Sequence, residues 1–382
     1  MKKILFISNI SNKINLFAMS SIMAANKMGF SYHHVSNWSS ASLSQIENEQ
    51  KVHGIIIHNV GITRFPFSKS NYNAYRQIVD IIRRENIDYI HCNTPTGGVL
   101  GRLAGKKCRV SKVIYQAHGF HFYKGAPIIN WLIYYPIERW LAHYTDALIT
   151  INQEDYALAK EKMHLRRKRK VYYVPGVGID TSQFPMDQAI CYRTRQALNL
   201  SDTDVMLISA GELNENKNNT VIISALSKLN NNNIHYFLCG IGDKERKLRQ
   251  QAEKAGIAHQ IHFLGYRQDL KELLQAADIF VMPSFREGLS RSIMEAMSSG
   301  LPCVVSNIRG NVDLIRNGEG GFLCDASDQN SFAAAIERLV LDADLRKKMG
   351  NQNLMAIKQF DTSVVEKAMI DIYSEVLMED KE

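Results

Sequence analysis

The stretch of this chain best suited to chemistry runs from Glu287 to Glu295 and reads E-G-L-S-R-S-I-M-E. Gly288 lets the backbone come close to a ligand, Leu289 continues the loop, and Ser290 is a good N-cap for a following helix. The first N–H groups of such a helix carry partial positive charge, which suits a phosphate best. Carboxylates accept hydrogen bonds, and sugar hydroxyls mostly donate them. These residue types predict a phosphate site bracketed by two acidic side chains.

Two apolar runs must position this stretch. Residues 278–282 lead into it and residues 302–306 lead out of it, which predicts a strand, a loop, a short helix and a second strand of a parallel sheet. Without these surroundings, two glutamates at this spacing are equally typical of a solvated helix face.

The longer run E-G-L-S-R-S-I-M-E-A-M-S-S-G-L-P-C-V-V-S resembles the E-x7-E signature of the retaining glycosyltransferases of family 4. The match includes the glycine, the small residues, the G-x-P turn and the strand after it. Residues 117–140, A-H-G-F-H-F-Y-K-G-A-P-I-I-N-W-L-I-Y-Y-P-I-E-R-W, resemble the subgroup that builds bacterial exopolysaccharide and capsule. The resemblance spans nearly the whole chain and is strongest at residues 261–310.

The chain has 382 residues, which exceeds the size at which one core keeps growing, so two domains are expected. Strand-like runs alternate with helical segments in both halves, as in a doubly wound α/β sheet. Gly/Pro punctuation follows residue 174, and the charge balance changes beyond it. We therefore expect a Rossmann-like acceptor domain at 1–180 and a Rossmann-like nucleotide-sugar domain at 181–361. The resemblance implies the GT-B fold, with these domains facing a cleft and a helix at 362–382 crossing back to the first domain.

Charge is divided unevenly along the chain. Residues 1–190 contain 24 Lys/Arg and 12 Asp/Glu, while the remainder has 22 and 26. The basic first half favours an anionic partner, with a membrane surface or phosphate-bearing lipid more consistent than nucleic acid. Because no apolar run is long enough to span a membrane and the N-terminus does not resemble a signal peptide, we expect a cytoplasmic protein, peripheral on the inner face of the plasma membrane.

Two segments of the first half are candidates for contact with that surface. The aromatic stretch 125–141 is typical of a helix buried against the sheet, which we favour, or of an amphipathic helix in a membrane interface. The run 166–170, R-R-K-R-K, is typical of a solvated loop and is also suited to anionic headgroups.

His118 follows a predicted strand and stands beside a glycine, where a functional residue and a hydrogen-bonded core histidine are both common. The resemblance implies that His118 lies against the transferred sugar. The loop after the first strand lacks the glycines of a dinucleotide fingerprint, which disfavours nicotinamide and flavin cofactors.

In the second half, Gly211 and Lys217 occupy the loop that follows the first strand, where a lysine is able to neutralise a diphosphate. The family usually has arginine where this chain has Glu212, and a carboxylate there would be repelled by a diphosphate. Tyr266 and Arg267 follow a later strand, where the family places the nucleobase. Both residue types also occur at the rims of sites without binding anything.

Together, the site and the resemblance predict a retaining hexosyl- or N-acetylhexosaminyltransferase of exopolysaccharide, capsule or O-antigen assembly. The donor is most simply a UDP-sugar, and the acceptor is a glycan or a sugar linked to undecaprenyl diphosphate. Glu295 is assigned to the ribose, Glu287 to the transferred sugar, and Gly288, Leu289 and Ser290 to the diphosphate. No metal and no cofactor are expected. A sugar-nucleotide epimerase of the same fold, a non-catalytic sugar-nucleotide sensor and a nucleic-acid-binding module are the alternatives.

Overall fold

The computed structural model describes residues 1–65, 68–166 and 170–378. The strands of this part are β1 (Lys3–Ile10), β2 (Ser31–Asn37), β3 (Ile56–Asn59), β4 (Tyr89–Asn93), β5 (Lys112–Ala117), β6 (Ala147–Thr150), β7 (Val171–Tyr173), β8 (Val205–Ala210), β9 (Ile234–Cys239), β10 (Ile261–Gly265), β11 (Ile279–Met282), β12 (Cys303–Ser306) and β13 (Gly321–Cys324). The helices are α1 (Leu16–Lys27), α2 (Leu43–His53), α3 (Lys69–Glu85), α4 (Pro95–Cys108), α5 (Ile128–Ala142), α6 (Gln153–Lys162), α7 (Gln188–Ala197), α8 (Asn219–Leu229), α9 (Glu245–Lys254), α10 (Leu270–Ala276), α11 (Arg291–Ser298), α12 (Asn311–Leu314), α13 (Gln329–Leu341), α14 (Ala343–Ala356) and α15 (Thr362–Met378).

The chain divides into two units, each with its own sheet. The first unit is Met1–Gly178 together with the segment that begins at Thr362, and the second is Ile179–Asp361. Apolar side chains fill both faces of each sheet, as expected for parallel sheets covered by helices. Within the described residues, no helix is both long and apolar enough to cross a membrane.

Both sheets are parallel and doubly wound. Their strand orders are β3-β2-β1-β4-β5-β6-β7 and β10-β9-β8-β11-β12-β13, so the order reverses between β1 and β4 and between β8 and β11. Loops at the carboxyl ends of the strands diverge at such a reversal and leave a crevice for a ligand. The predicted α/β class with two doubly wound sheets is confirmed.

Strand β2 was not predicted, and neither was β13. The sequence of β2, S-Y-H-H-V-S-N, contains too many polar residues to be recognised as a buried strand, yet its five central residues are buried. His34 lies against the edges of Phe6 and Trp38, and its Nε2 is 3.2 Å from the Ser8 hydroxyl. Packing against neighbouring elements thus overrides the low strand propensity of these residues.

Helix α15 packs on the first sheet through polar contacts as well as apolar ones. The Tyr373 hydroxyl is 2.7 Å from His91 Nδ1, and the Tyr89 hydroxyl donates a hydrogen bond to the Leu377 carbonyl at 3.1 Å. Burial lowers the pKa of both His34 and His91 to about 3. These imidazoles are therefore neutral in the folded protein over the physiological pH range.

The aromatic helix α5 is not buried on all sides, so the burial that we favoured is wrong for its outer face. Its inner face contacts the core through Trp131, Tyr134 and Tyr135, and Glu138 forms a salt bridge with buried Arg102 at 2.7 Å. Its outer face exposes several large apolar side chains. A stretch that is apolar all around does not reveal which face the tertiary structure covers.

The buried histidines make the first unit sensitive to acid. Because the folded-state pKa lies below the unfolded value near 6.5, the unfolded chain binds more protons, and stability present above pH 6.5 is lost as the pH falls. For each such histidine, the free energy of unfolding should fall by about 2 kcal/mol when the pH is lowered from 7.5 to 5. Urea unfolding curves at the two pH values measure this loss.

A variant isolates one imidazole in this experiment. His91→Gln should be less stable at pH 7.5, because the Tyr373 contact is weakened, and should lose less stability on acidification than the wild type. His143→Gln, which changes an exposed histidine of the same unit, is the control. An unchanged acid loss in His91→Gln would contradict the assignment.

Candidate active site

The loops at the carboxyl ends of β8, β9, β10 and β11 line a cavity of about 730 Å³ in the second unit, at the reversal of strand order. Its walls include nearly all the site residues predicted for this unit. They are Gly211, Lys217, Tyr266, Arg267, Glu287, Leu289, Ser290 and Glu295. Gly288 lies in the loop that bears them, but among the described residues it is not one of those that line the cavity.

Helix α11 begins at this cavity. Ser290 caps the helix, as predicted, and its hydroxyl accepts a hydrogen bond from the Ile293 N–H at 3.5 Å. The first N–H groups of an α-helix have no partner inside the helix, and here Ser290, Arg291 and Ser292 all line the cavity. The helix start is therefore a favourable position for an anion.

Glu287 is paired with Lys217 across the cavity wall. The Lys217 Nζ lies 2.8 Å from Glu287 Oε1, and both side chains are mostly shielded from solvent. The backbone at Lys217 is fixed by a hydrogen bond, which its N–H donates to Asn214 Oδ1 at 3.1 Å. A phosphate that enters this cavity thus meets a cation already close to a carboxylate.

Glu295 lies one turn inside α11, where Arg291 reaches it. The Arg291 Nε donates a hydrogen bond to Glu295 Oε1 at 2.9 Å, a typical i,i+4 ion pair. Glu295 is largely shielded while Arg291 is exposed. The second Glu295 oxygen is left to accept hydrogen bonds from a ligand.

Glu212 lines the same cavity. Its Oε2 accepts a hydrogen bond from the Asn214 side-chain amide at 3.0 Å. The charged residues of the walls are three acidic and three basic ones: Glu212, Glu287, Glu295, Lys217, Arg267 and Arg291. Three negative and three positive side chains balance before any ligand binds.

The two residues after β10 differ in how they are held. Arg267 donates to Asp269 Oδ1 at 2.7 Å, and this hydrogen bond raises the pKa of Arg267. Tyr266 is 75% exposed, with its ring at the cavity rim. An exposed ring of this kind is available to stack on a planar ligand.

Two glycines hold the loops of the site in place. A Cβ on Gly240 would lie 1.9 Å from the Gly211 carbonyl oxygen, and one on Gly310 would lie 2.3 Å from the Gly288 carbonyl oxygen. Arg309 adds a contact at 3.4 Å from its Nε to the Glu287 carbonyl. The sequence offers one signal for Gly310, which is the R-G-N turn after β12. A turn alone does not show which segment packs against its glycine.

His118 belongs to the first unit, at the end of β5. Its ring lies edge-on to Phe17 with the centroids 4.1 Å apart, and neither ring nitrogen has a hydrogen-bond partner among the described residues. Burial lowers the pKa of His118 to about 3, which keeps the imidazole neutral. Unpartnered buried nitrogens disfavour the interpretation as a hydrogen-bonded core histidine.

A second cavity, of about 400 Å³, lies in the first unit where its strand order reverses. Its lining includes the polar side chains of Asn9, Asn15, Arg64, Thr94 and Tyr134. Asn9 Oδ1 accepts hydrogen bonds from the Thr94 hydroxyl at 2.7 Å and from the backbone N–H at the start of α4 at 2.9 Å. Within the described residues, no three histidine, cysteine, aspartate or glutamate side chains gather to hold a metal ion.

Comparison with known proteins decides the family. Residues 3–152 match the family described as "Glycosyl transferase 4-like", and residues 193–354 match "Glycosyl transferases group 1". The putative glycosyltransferase EpsD of Bacillus subtilis (strain 168) is 36% identical over 378 residues, which cover 98% of this chain and 96% of that protein. The chain belongs to glycosyltransferase family 4. The resemblance of the E-x7-E run is thereby confirmed.

Other relatives agree with this assignment to family 4. A UDP-Gal:alpha-D-GlcNAc-diphosphoundecaprenol alpha-1,3-galactosyltransferase of Escherichia coli is 29% identical over 267 residues, covering 69% of this chain and 68% of that protein. The crystal structure of Anabaena Alr3699/HepE in complex with UDP and glucose has a TM-score of 0.79 at 20% identity, covering 98% of this chain and all of that one. The fold is GT-B, and this family 4 enzyme transfers a sugar from a nucleotide sugar. The epimerase and sensor alternatives are not favoured.

A pair of glycine variants tests whether Gly310 supports the site. Gly310 and Gly318 both have φ of +81°, but a Cβ on Gly318 would meet nothing within 4 Å. Alanine at either position should cost about 1–3 kcal/mol of stability through backbone strain. Only Gly310→Ala should also displace the loop at Gly288 and weaken UDP binding in isothermal titration. Equal UDP affinity in the two variants would contradict this supporting role.

Proposed function

We propose that the chain transfers a hexosyl or N-acetylhexosaminyl residue from a UDP-sugar, with retention of configuration, to a lipid-linked sugar during bacterial exopolysaccharide, capsule or O-antigen assembly. The observation that carries the proposal is the convergence of a helix start, a lysine and two paired carboxylates on one cavity of 730 Å³. The names of relatives support it, since one is a galactosyltransferase named for UDP-Gal and a diphosphoundecaprenol acceptor.

In this proposal the diphosphate of the donor lies at the start of α11, bound by the N–H groups after Ser290 and by Lys217. Gly211, Gly288 and Leu289 shape the backbone around it. A preorganised donor set stabilises the charge that develops on the leaving diphosphate without reorganising during the reaction. The Glu287 carboxylate, 2.8 Å from Lys217, must share this cation with the phosphate when the donor binds.

The remaining side chains are assigned to the sugars and the base. Glu295 accepts hydrogen bonds from the ribose, and Glu287 accepts them from the transferred sugar. Tyr266 stacks on the uracil ring, with Arg267 beside it. His118, neutral and without a hydrogen-bond partner among the described residues, is proposed to orient the transferred sugar.

The reaction proceeds at the anomeric carbon of the donor. The bond from this carbon to the diphosphate oxygen breaks, and a bond to the acceptor hydroxyl oxygen forms on the same face. The leaving diphosphate stabilises the glycosyl cation and takes the proton of the acceptor hydroxyl. No protein nucleophile is assigned.

The acceptor is proposed to bind the first unit, where the cavity beside β1 and β4 offers amide, hydroxyl and guanidinium groups. A lipid-linked acceptor would bring the enzyme to an anionic membrane surface, which agrees with the excess of Lys/Arg in residues 1–190. Three members of the basic run 166–170 lie outside the described residues. Of the other two, Arg166 binds Asp146 at 2.7 Å and Lys170 binds Glu375, so both have carboxylate partners within the protein.

The identity of the donor is tested by thermal stabilisation with a panel of UDP-, GDP- and dTDP-sugars, because a ligand of the native state raises the melting temperature. We expect UDP-sugars to stabilise the protein most. Stabilisation by GDP-sugars alone would overturn the assignment of the nucleotide.

Variants of the Lys217–Glu287 ion pair separate recognition of the sugar from binding of the phosphate. Glu287→Ala should lower turnover by roughly 100-fold or more, while affinity for UDP alone holds or rises because Lys217 is freed for the diphosphate. Lys217→Met should instead weaken UDP binding. UDP release in the presence of a lipid extract measures turnover, and calorimetry measures UDP affinity.

The control is Glu253→Ala, which removes an exposed carboxylate of the same unit. It should retain normal turnover and UDP affinity. Near-normal turnover in Glu287→Ala would remove this residue from the proposed site.

Transfer is expected to persist in excess EDTA, since amides and Lys217 supply the positive charge that a divalent ion supplies in other transferases. Turnover is measured with and without the chelator and after addition of Mg²⁺. Loss of activity in EDTA with recovery in Mg²⁺ would contradict the proposal and point to Glu212 as a metal ligand.

A further inference from the structure

The outer face of α5 is the strongest exposed apolar feature of the first unit. Its exposed large apolar residues recur at intervals of three or four positions, so they form one stripe along the helix. The stripe consists of Ile128, Ile129, Leu132, Ile133, Ile137 and Trp140. Ile128 is 78% exposed and Leu132 is 67% exposed. A continuous apolar stripe in contact with water is costly unless something covers it.

The helix is held so that this stripe faces outward. Arg102 is buried, stacks on the Tyr115 ring at 3.8 Å, and binds both Glu138 oxygens at 2.7 and 3.2 Å. Trp131 packs against the Phe122 ring from the same inner face of the helix. Breaking a buried ion pair is strongly unfavourable, so α5 does not roll to hide its apolar stripe.

Cations and aromatic rings border the stripe. Lys124 precedes the helix and Arg139 lies on it, and both are exposed. At the other end, Lys106 Nζ lies 2.6 Å from the Tyr144 hydroxyl, and the Tyr144 ring contacts Trp140 edge-on. Tryptophan, tyrosine and lysine together are typical of the boundary between acyl chains and headgroups.

Two carboxylates lie near these cations. Glu138 is bound to Arg102 on the inner face, and Glu154 accepts a hydrogen bond from the Lys124 backbone N–H at 2.7 Å. Arg102 neutralises Glu138, and Glu154 offsets only one of the three cations, so the rim of the stripe keeps a positive charge. A second copy of the chain that covered the stripe through a two-fold axis would bring like charges together, whereas an anionic lipid surface complements them.

We propose that the outer face of α5 seats the protein on an anionic bilayer, with the apolar stripe at the level of the headgroups and upper acyl chains and the flanking cations on the phosphates. The occupant is the lipid surface itself and not the acceptor. A seat on the bilayer rests on the proposed function and adds a location to it. Its test measures binding and not transfer, so failure of one does not imply failure of the other.

Sedimentation with vesicles tests the proposal in the full-length protein. The wild type should bind vesicles of phosphatidylethanolamine and phosphatidylglycerol, and should bind less well to phosphatidylcholine. Ile128→Ser with Leu132→Ser should reduce partition into the anionic vesicles by roughly tenfold or more, since binding scales with buried apolar area. UDP affinity, measured by calorimetry, should be unchanged in this variant.

A matched control is available on α2. Leu43 is 80% exposed and Val52 is 65% exposed, so Leu43→Ser with Val52→Ser removes a similar amount of exposed apolar surface from the same unit. This variant should bind anionic vesicles as the wild type does. Equal losses in the two double variants would overturn the assignment to α5.

The fluorescence of Trp140 reports how deeply α5 lies in the bilayer. Vesicles whose acyl chains carry bromine should quench its fluorescence, and Trp140→Phe should remove the quenched component, because Trp38 is buried and Trp131 faces the core. Unquenched emission from vesicle-bound wild type would overturn the proposal. So would a dimer in ultracentrifugation that the α5 double variant dissociates while its vesicle binding stays intact.

Discussion

The candidate site depends on backbone segments that pack more closely than any side chain would permit. Gly240 lies against the carbonyl of Gly211, and Gly310 lies against the carbonyl of Gly288. These contacts hold the loops after β8 and β11, whose strands are neighbours at the reversal of the sheet. The loops in turn position Lys217 and the start of α11. Chemistry at this edge thus rests on glycines that do not themselves carry a functional group.

Electrostatic balance is the second property of the site. Lys217 is paired with Glu287, and Arg291 with Glu295, while Glu212 accepts a hydrogen bond from the side-chain amide of Asn214. Because of this pairing, neither shielded carboxylate is left as a bare charge away from water, which would be unfavourable. The diphosphate that we propose for this cavity would redistribute contacts that already exist and would not have to recruit new cations. This favours a site that is organised before its ligand arrives.

In the first unit, buried polar side chains fasten helices to the sheet. Its sheet contains neutral histidines, and contacts to His91 and Tyr89 fasten α15 to it. On the opposite face of the sheet, the Arg102–Glu138 ion pair fixes α5 with an apolar stripe toward solvent. Specific polar contacts at these two helices thus determine which surfaces are covered and which remain available to a partner.

The sequence by itself determined the features that depend on local order. The E-x7-E run, the Ser290 cap and the alternation of strands and helices followed from residue types and spacing, because capping and periodicity act over a few residues. The sequence did not reveal β2, whose histidines resemble a polar loop until neighbouring strands and Trp38 bury them. Nor did it reveal the pairing of Lys217 with Glu287, 70 residues apart, or the role of Gly310. Only the tertiary structure decided these features and the exposed face of α5, because each depends on which distant segment packs against a residue, and spacing along the chain carries no record of that.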